Sequence, residues 1–166
     1  DIRKPQLLAL LGLKPTKSGI VNFLCGAEAD YELLDKQIIP SAIHRNMDLL
    51  PAGIIPPNPA ELLSGSLLRD AIEYLSTKYD YVILDTPPVA LVSDTLIIGA
   101  LANMTIFVTR ADYSPKANFE LINSLSRDRK LPKCNIVINA VDISKKRHSQ
   151  QYGHYGHNGL YGGYGS

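Results

Sequence analysis

Three short runs of this chain are rich in Val and Ile: YVILD at 81–85, TIFVTR at 105–110 and NIVIN at 135–139. They lack a polar/apolar alternation. That is the pattern of strands covered on both faces, as in a parallel sheet flanked by helices. A weaker fourth strand is MDLLPAG at 47–53, and QII at 37–39 is a candidate fifth.

Helical signals fall between the runs. NPAELL has Asn58 at the cap, Pro59 at the first helical position and Glu61 three residues after the cap, close to a capping box. Beyond it, Leu67, Leu68, Ala71, Ile72 and Leu75 recur at helical spacing and make one apolar stripe. SPKANFELINSL starts in the same way, with Ser114 as cap, Pro115 next, and Phe119, Ile122 and Leu125 on the buried side. Ser93 or Asp94 caps a third helix running through Leu101, and SGIVNFLCG, from Ser18 to Gly26, reads as a fourth. Strand and helix alternate, so the expected class is α/β with a mainly parallel sheet.

The 166 residues suffice for one domain with a real core, and nearly half of them are hydrophobic. The composition changes near Lys145, after which Gly, Tyr, His, Gln, Asn and Ser dominate. We therefore expect a domain over 1–144 and a flexible Tyr/Gly-rich tail over 145–166, too poor in aliphatics to offset its ordering entropy by burial. A formal charge of +1 argues against a nucleic-acid partner held through phosphates. No apolar run approaches the roughly 20 residues of a membrane span, and no signal peptide is visible. Cys25 and Cys134 lack metal-ligand spacing, which fits a reducing compartment. The chain opens on Asp1 and not on methionine, which is expected of an excerpt from a longer protein.

In open parallel sheets, ligands bind beyond the carboxyl ends of strands. YVILD ends on Asp85, followed by Thr86, Pro87 and Pro88. Four apolar residues and then a carboxylate is the pattern of a Walker B strand, which fixes an anion near a phosphate-bound magnesium. It is also the pattern of a strand meeting a turn through an ordinary capping Asp. The opening Asp1-x-Arg3 reads either as an acidic strand end or as a surface charge pair. Arg110 and Asn139 end the other two strands, where they either face one crevice, the Asn amide against a base edge, or simply close turns. The phosphate-loop pattern GxxxxGK(S/T) does not occur; LKPTKSG at 13–19 fails it and reads as a loop and helix cap. His154 and His157 are at most an adventitious metal pair.

Taken together, DIRKPQLLALLGL, LLPAGIIPPNPAELL, YDYVILDTPPV with Asp94 shortly after, TIFVTR, NIVINAV and the tyrosine-rich terminus resemble, in this order, the bacterial tyrosine kinases. These are the cytoplasmic kinase domains of polysaccharide co-polymerases, which govern capsule and exopolysaccharide production. The resemblance covers almost the whole chain. It implies a P-loop NTPase fold of the deviant-Walker type, like the septum-site and partitioning ATPases. It implies ATP and Mg2+ as cofactors. Asp1 and Arg3 would match the family's second acidic motif, with Asp1 on magnesium and acting on the attacking hydroxyl, and Asp85 would match the Walker B aspartate on the magnesium shell. Arg110 and Asn139 would contact the nucleotide base. Tyr152, Tyr155, Tyr161 and Tyr164 would match the autophosphorylated cluster, offered in trans to a neighbouring subunit of a homo-oligomeric ring. The implied partners are a transmembrane co-polymerase segment or adaptor and a cognate phosphotyrosine phosphatase. The implied location is the cytoplasmic face of the bacterial inner membrane.

In the family the Walker A loop and its strand would precede Asp1. The expectation is therefore a truncated kinase domain that alone neither binds ATP tightly nor transfers phosphate. Two other readings stay open: an ATPase switch without kinase activity, and a non-catalytic regulatory or interaction module.

Overall fold

A computed structural model describes residues 1–142. The tail tyrosines, His154 and His157, and the expected boundary at 144 lie outside the described residues.

The helical part is built around one apolar cluster. Helix α3 (Tyr31–Gln37) starts at Asp30, whose carboxylate accepts the Leu33 N–H at 2.9 Å, a regular side-chain cap. Its Leu34 is wholly buried. The helical spacing read around Leu68 gives α5 (Ser66–Lys78), with Leu68, Ala71 and Leu75 inward. Each large apolar side chain so buried contributes about 1.5–3 kcal/mol. Tyr31 stacks on Tyr74 at 4.4 Å between ring centroids, and Asp35 accepts from Tyr74 Oη (2.8 Å) and Lys78 Nζ, so polar contacts at the rim join α3 to α5.

Helix α2 (Ile20–Leu24) enters against residues 51–53. The Ile20 and Val21 amides, which the helix itself leaves unmatched, donate to the carbonyls of Pro51 (2.8 Å) and Ala52 (3.1 Å). This approach needs Gly19, because a Cβ there would overlap the backbone of Pro51, Ala52 and Gly53. Short helices α1 (Leu7–Leu10), α4 (Pro59–Ser64) and α6 (Asp94–Gly99) complete this part. Helices α1 and α3 carry no strong sequence signal and were not expected. At α4 the Asn58 side chain donates to Glu61 Oε2 at 2.6 Å and caps no backbone amide, so the expected box is side chain to side chain.

The strands form two separate ladders. β1 (Ile39–Pro40) and β2 (Asp48–Leu49) pair antiparallel, so the two weak strand signals are short and face each other. β3 (Thr105–Arg110) and β4 (Cys134–Asn139) pair parallel, from Thr105 opposite Cys134 to Arg110 opposite Asn139. Helix α7 (Ala117–Arg127) makes the crossover. It begins after Pro115 and without Ser114 as cap, because Ser114 Oγ accepts the Arg110 N–H at 2.8 Å. Leu121 and Ile122 of α7 line a small cavity with Phe107 and Thr109, on one face of β3. The opposite face leaves Ile106, Val108 and Val137 exposed.

The expected strand at 81–85 is a correction. The segment alternates, with Val82 and Leu84 packed on the core cluster and Tyr81 and Ile83 outward, Ile83 being 91% exposed. Among the described residues it joins no ladder, since β3 and β4 pair only with each other. Composition sets extended propensity, but a strand also needs a hydrogen-bonding neighbour about 4.8 Å away. The α/β class stands, and among the described residues its ladders are the parallel β3–β4 pair and the short antiparallel β1–β2 pair.

Candidate active site

The inward side chains of Val82 and Leu84 hold the 81–85 segment on the core and deliver Asp85 at its end, with a side chain 68% exposed. Ile2 is buried in the same cluster and places Asp1 and Arg3 on either side of itself. The Asp1 main-chain nitrogen donates to the Asp85 carbonyl at 2.6 Å and lies 3.8 Å from Asp85 Oδ2. Two carboxylate-bearing segments, remote in sequence, thus end side by side.

The Asp1 carboxylate turns back on its own chain. Its Oδ1 accepts the amides of Arg3 (2.9 Å) and Lys4 (3.1 Å), an Asx-type turn. Arg3 points elsewhere. Its Nε and Nη2 donate to the two oxygens of Asp94 at 2.6 and 2.8 Å, a bidentate fork. Asp94 is fully buried at the first position of α6. Hydrogen bonds from the Arg3 guanidinium hold the Asp94 carboxyl below the usual carboxylate range, against the opposing push of burial, and the same bonds raise Arg3. The next residue, Thr95, donates through Oγ1 to the Pro87 carbonyl at 2.6 Å. Helix α6 therefore grips both the opening turn and the loop that follows Asp85.

Arg110 and Asn139 end β3 and β4 as read from the sequence, and they are register partners on one sheet face. The Arg110 guanidinium lies 5.4 Å from the Tyr113 ring centroid, and Asn139 Oδ1 accepts the Ala140 amide at 2.7 Å. No hydrogen bond or ion pair joins this pair to the Asp1–Asp85 group among the described residues. A cavity of about 440 Å³ bounded by Ala100, Arg129, Lys130 and Lys133 lies at the other, amino-terminal end of β3 and β4.

Sequence reading missed the Arg3–Asp94 fork and the Thr95 tether. Asp94 looked like a helix cap, and only its position after the DTPP turn hinted at more. Among the described residues no group of three or more His, Cys, Asp or Glu gathers. An all-protein metal cage is therefore not on offer. Two carboxylates at neighbouring segment ends do fit Mg2+, which takes one or two carboxylates, substrate phosphates and several waters. No helix among the described residues is long and apolar enough to cross a membrane.

No protein-family model matches the chain. Among curated proteins it is 36% identical over 157 residues to the tyrosine-protein kinase wzc of Salmonella typhimurium, covering 93% of this chain and 21% of that protein. It is 30% identical over 156 residues to the tyrosine-protein kinase YwqD of Bacillus subtilis, covering 94% and 62% respectively. The chain spans about a fifth of the length of the first curated relatives it matches. Among solved structures the VpsO kinase domain superposes with a TM-score of 0.73 at 26% identity, over 86% of this chain and 68% of that one. The fold is that of the P-loop NTPases as these kinase domains use it. The chain belongs to the bacterial tyrosine kinase family.

Proposed function

We propose that the chain is part of an ATP-dependent protein-tyrosine autokinase that phosphorylates its own tail and regulates capsule or exopolysaccharide synthesis. The observation that carries this reading is the packing of Ile2, Val82 and Leu84 in one core cluster, which brings Asp1 and Asp85 to neighbouring positions. The kinase names of the relatives support the same reaction. ATP is the phosphoryl donor, and Mg2+ when bound neutralises the phosphate charge.

The chain's own residues have three tasks. Asp85, at the end of a segment pinned by two prolines, fixes an anion where a magnesium-bound water can be held. Asp1 takes up the proton of an attacking tyrosine hydroxyl as the tyrosine oxygen bonds to the γ-phosphorus and the bond to ADP breaks. Its second oxygen makes no hydrogen bond among the described residues, so it has capacity for that proton. Arg3 acts at one remove, because its guanidinium is occupied by Asp94. Arg110 and Asn139 flank the base.

The substrate hydroxyls are those of Tyr152, Tyr155, Tyr161 and Tyr164, presented on a glycine-rich segment to a neighbouring subunit of a ring. Each phosphotyrosine adds about −1.5 to −2 charges. The cluster becomes strongly anionic beside basic Lys145, Lys146 and Arg147, and crowded tails repel. Phosphorylation then loosens the ring, and a cognate phosphatase resets it. A transmembrane co-polymerase segment or adaptor would hold the domain at the cytoplasmic face of the bacterial inner membrane.

The test is mass spectrometry of the full-length protein incubated with ATP and Mg2+. Phosphotyrosine at these four positions, lost when all four are changed to Phe, is the expected result. An unmodified tail in a protein that hydrolyses ATP would instead point to an ATPase switch.

A further inference from the structure

Two adjacent side chains of α6 hold the two halves of the acidic centre, and neither touches the centre itself. Asp94 receives the Arg3 fork, and Arg3 belongs to the same tight turn as Asp1, its backbone N–H donating a hydrogen bond to Asp1 Oδ1. Thr95 donates to the carbonyl of Pro87, two residues past Asp85. Both are buried, Asp94 completely, and Ile98 one turn on seats the same helix in the apolar cluster. The start of α6 thus serves as a common reference for two loops that also approach each other through the packing of Ile2 against the cluster that holds Val82 and Leu84. A magnesium coordination sphere tolerates little variation in ligand position.

We propose that Asp94 and Thr95 are positioning residues that set the separation of the Asp1 and Asp85 carboxylates, and so the affinity of this centre for a divalent cation with its nucleotide. This inference rests on the magnesium–nucleotide reading of the centre given above. A role in docking α6 alone would affect stability. A role in spacing the carboxylates would also affect metal affinity in protein that is still folded.

The experiment uses the full-length protein, with Mn2+ as probe in the presence of ATP and the free Mn2+ read by electron paramagnetic resonance. Thr95→Val keeps the side-chain shape and removes the donor, and Thr95→Ser restores it. We expect a five- to tenfold weaker Mn2+ affinity for Thr95→Val, near wild-type affinity for Thr95→Ser, and the same order for the Mg2+ concentration at half-maximal activity. Arg3→Lys, which keeps the charge and breaks the fork, should weaken Mn2+ binding comparably. Wild-type affinity in folded Thr95→Val and Arg3→Lys overturns the proposal while leaving the kinase reading intact. Failure of the unaltered protein to bind Mn2+ with ATP overturns both.

Discussion

The helical cluster and the β3–β4 pair are built to different standards of closure. In the first, Leu34 and Ala71 are wholly buried and Phe23 is 1% exposed. In the second, α7 lies against Phe107 and Thr109 of β3 but leaves Ile138 of β4 56% exposed, and the other face exposes Val108 to 68%. The acidic residues belong to the closed region, fastened through Ile2, Val82, Leu84 and α6. Arg110 and Asn139 belong to the open one. The core packing of Ile2, Val82 and Leu84 fixes the segments that carry Asp1 and Asp85, while the Asp85 side chain itself stays 68% exposed.

The largest effect expected from this contrast is in stability. Leu34→Ala should cost about 2–5 kcal/mol, because a buried cavity adds to the lost transfer energy. Val108→Thr, on the bare sheet face, should stay within about 0.5 kcal/mol. Chemical denaturation of the two variants checks this, and equal costs would erase the distinction between the regions.

A smaller effect is expected at the junction of the acidic centre and α6. Asp94→Ala removes the partner of a guanidinium that is itself about one-third exposed, so the cost falls to about 2 kcal/mol, below that of a fully buried pair. The pH dependence follows in sign. The folded-state carboxyl is held down by Arg3, so its contribution is complete above the ordinary carboxylate pKa of about 3.9. It is lost as the pH falls through the lowered value. Acid titration of stability should therefore be shallower for Asp94→Asn than for the unaltered protein. Parallel acid limbs would mean that the fork does not form in solution.

Much of this division was legible in the sequence, and its limits have physical causes. The helical stripe at Leu68, Ala71 and Leu75 and the existence of the strands at 105–110 and 135–139 were read correctly. The expected cover on both strand faces is a correction, since Val108 is 68% and Ile138 56% exposed: a β-branched run reports extended propensity and not burial. The run at 81–85 has the same composition but no ladder, since pairing depends on a neighbour that composition does not specify. Ser114 looked like a helix cap and instead receives the Arg110 amide, a choice made by the end of β3 and not by the local sequence. Asp1 and Asp85 were picked out by position at segment ends; their main chains meet, while the Asp1 carboxylate turns back on the amides of Arg3 and Lys4. The Arg3–Asp94 fork was not legible, because nothing local to either residue announces a partner so far along the chain.

A smaller loss than that at Asp94 is expected on the polar rim of the closed region. Tyr79 Oη donates to Asp48 Oδ2 at 2.7 Å, and this bond, with the Asp48 charge and partial burial, pushes the phenol up to about 12. Folding therefore favours the protonated phenol, and its contribution is present below the ordinary value near 10 and lost as the pH rises toward 12. Tyr79→Phe should cost about 1 kcal/mol at neutral pH. It should also remove a phenol titrating near 12 from a spectrophotometric titration. An unchanged high-pH limb would place Tyr79 among the ordinary surface tyrosines.

The central claim is that the paired acidic segment ends form the centre of a tyrosine kinase. Its most direct measurement is phosphate incorporation from labelled ATP into the full-length protein carrying Asp85→Asn, with folding checked by circular dichroism. Asn is nearly isosteric with Asp and removes only the charge. The expected result is a loss of at least about tenfold in tyrosine phosphorylation, equivalent to about 1.4 kcal/mol in the barrier, with an unaltered spectrum. Undiminished incorporation by the folded variant would contradict the account.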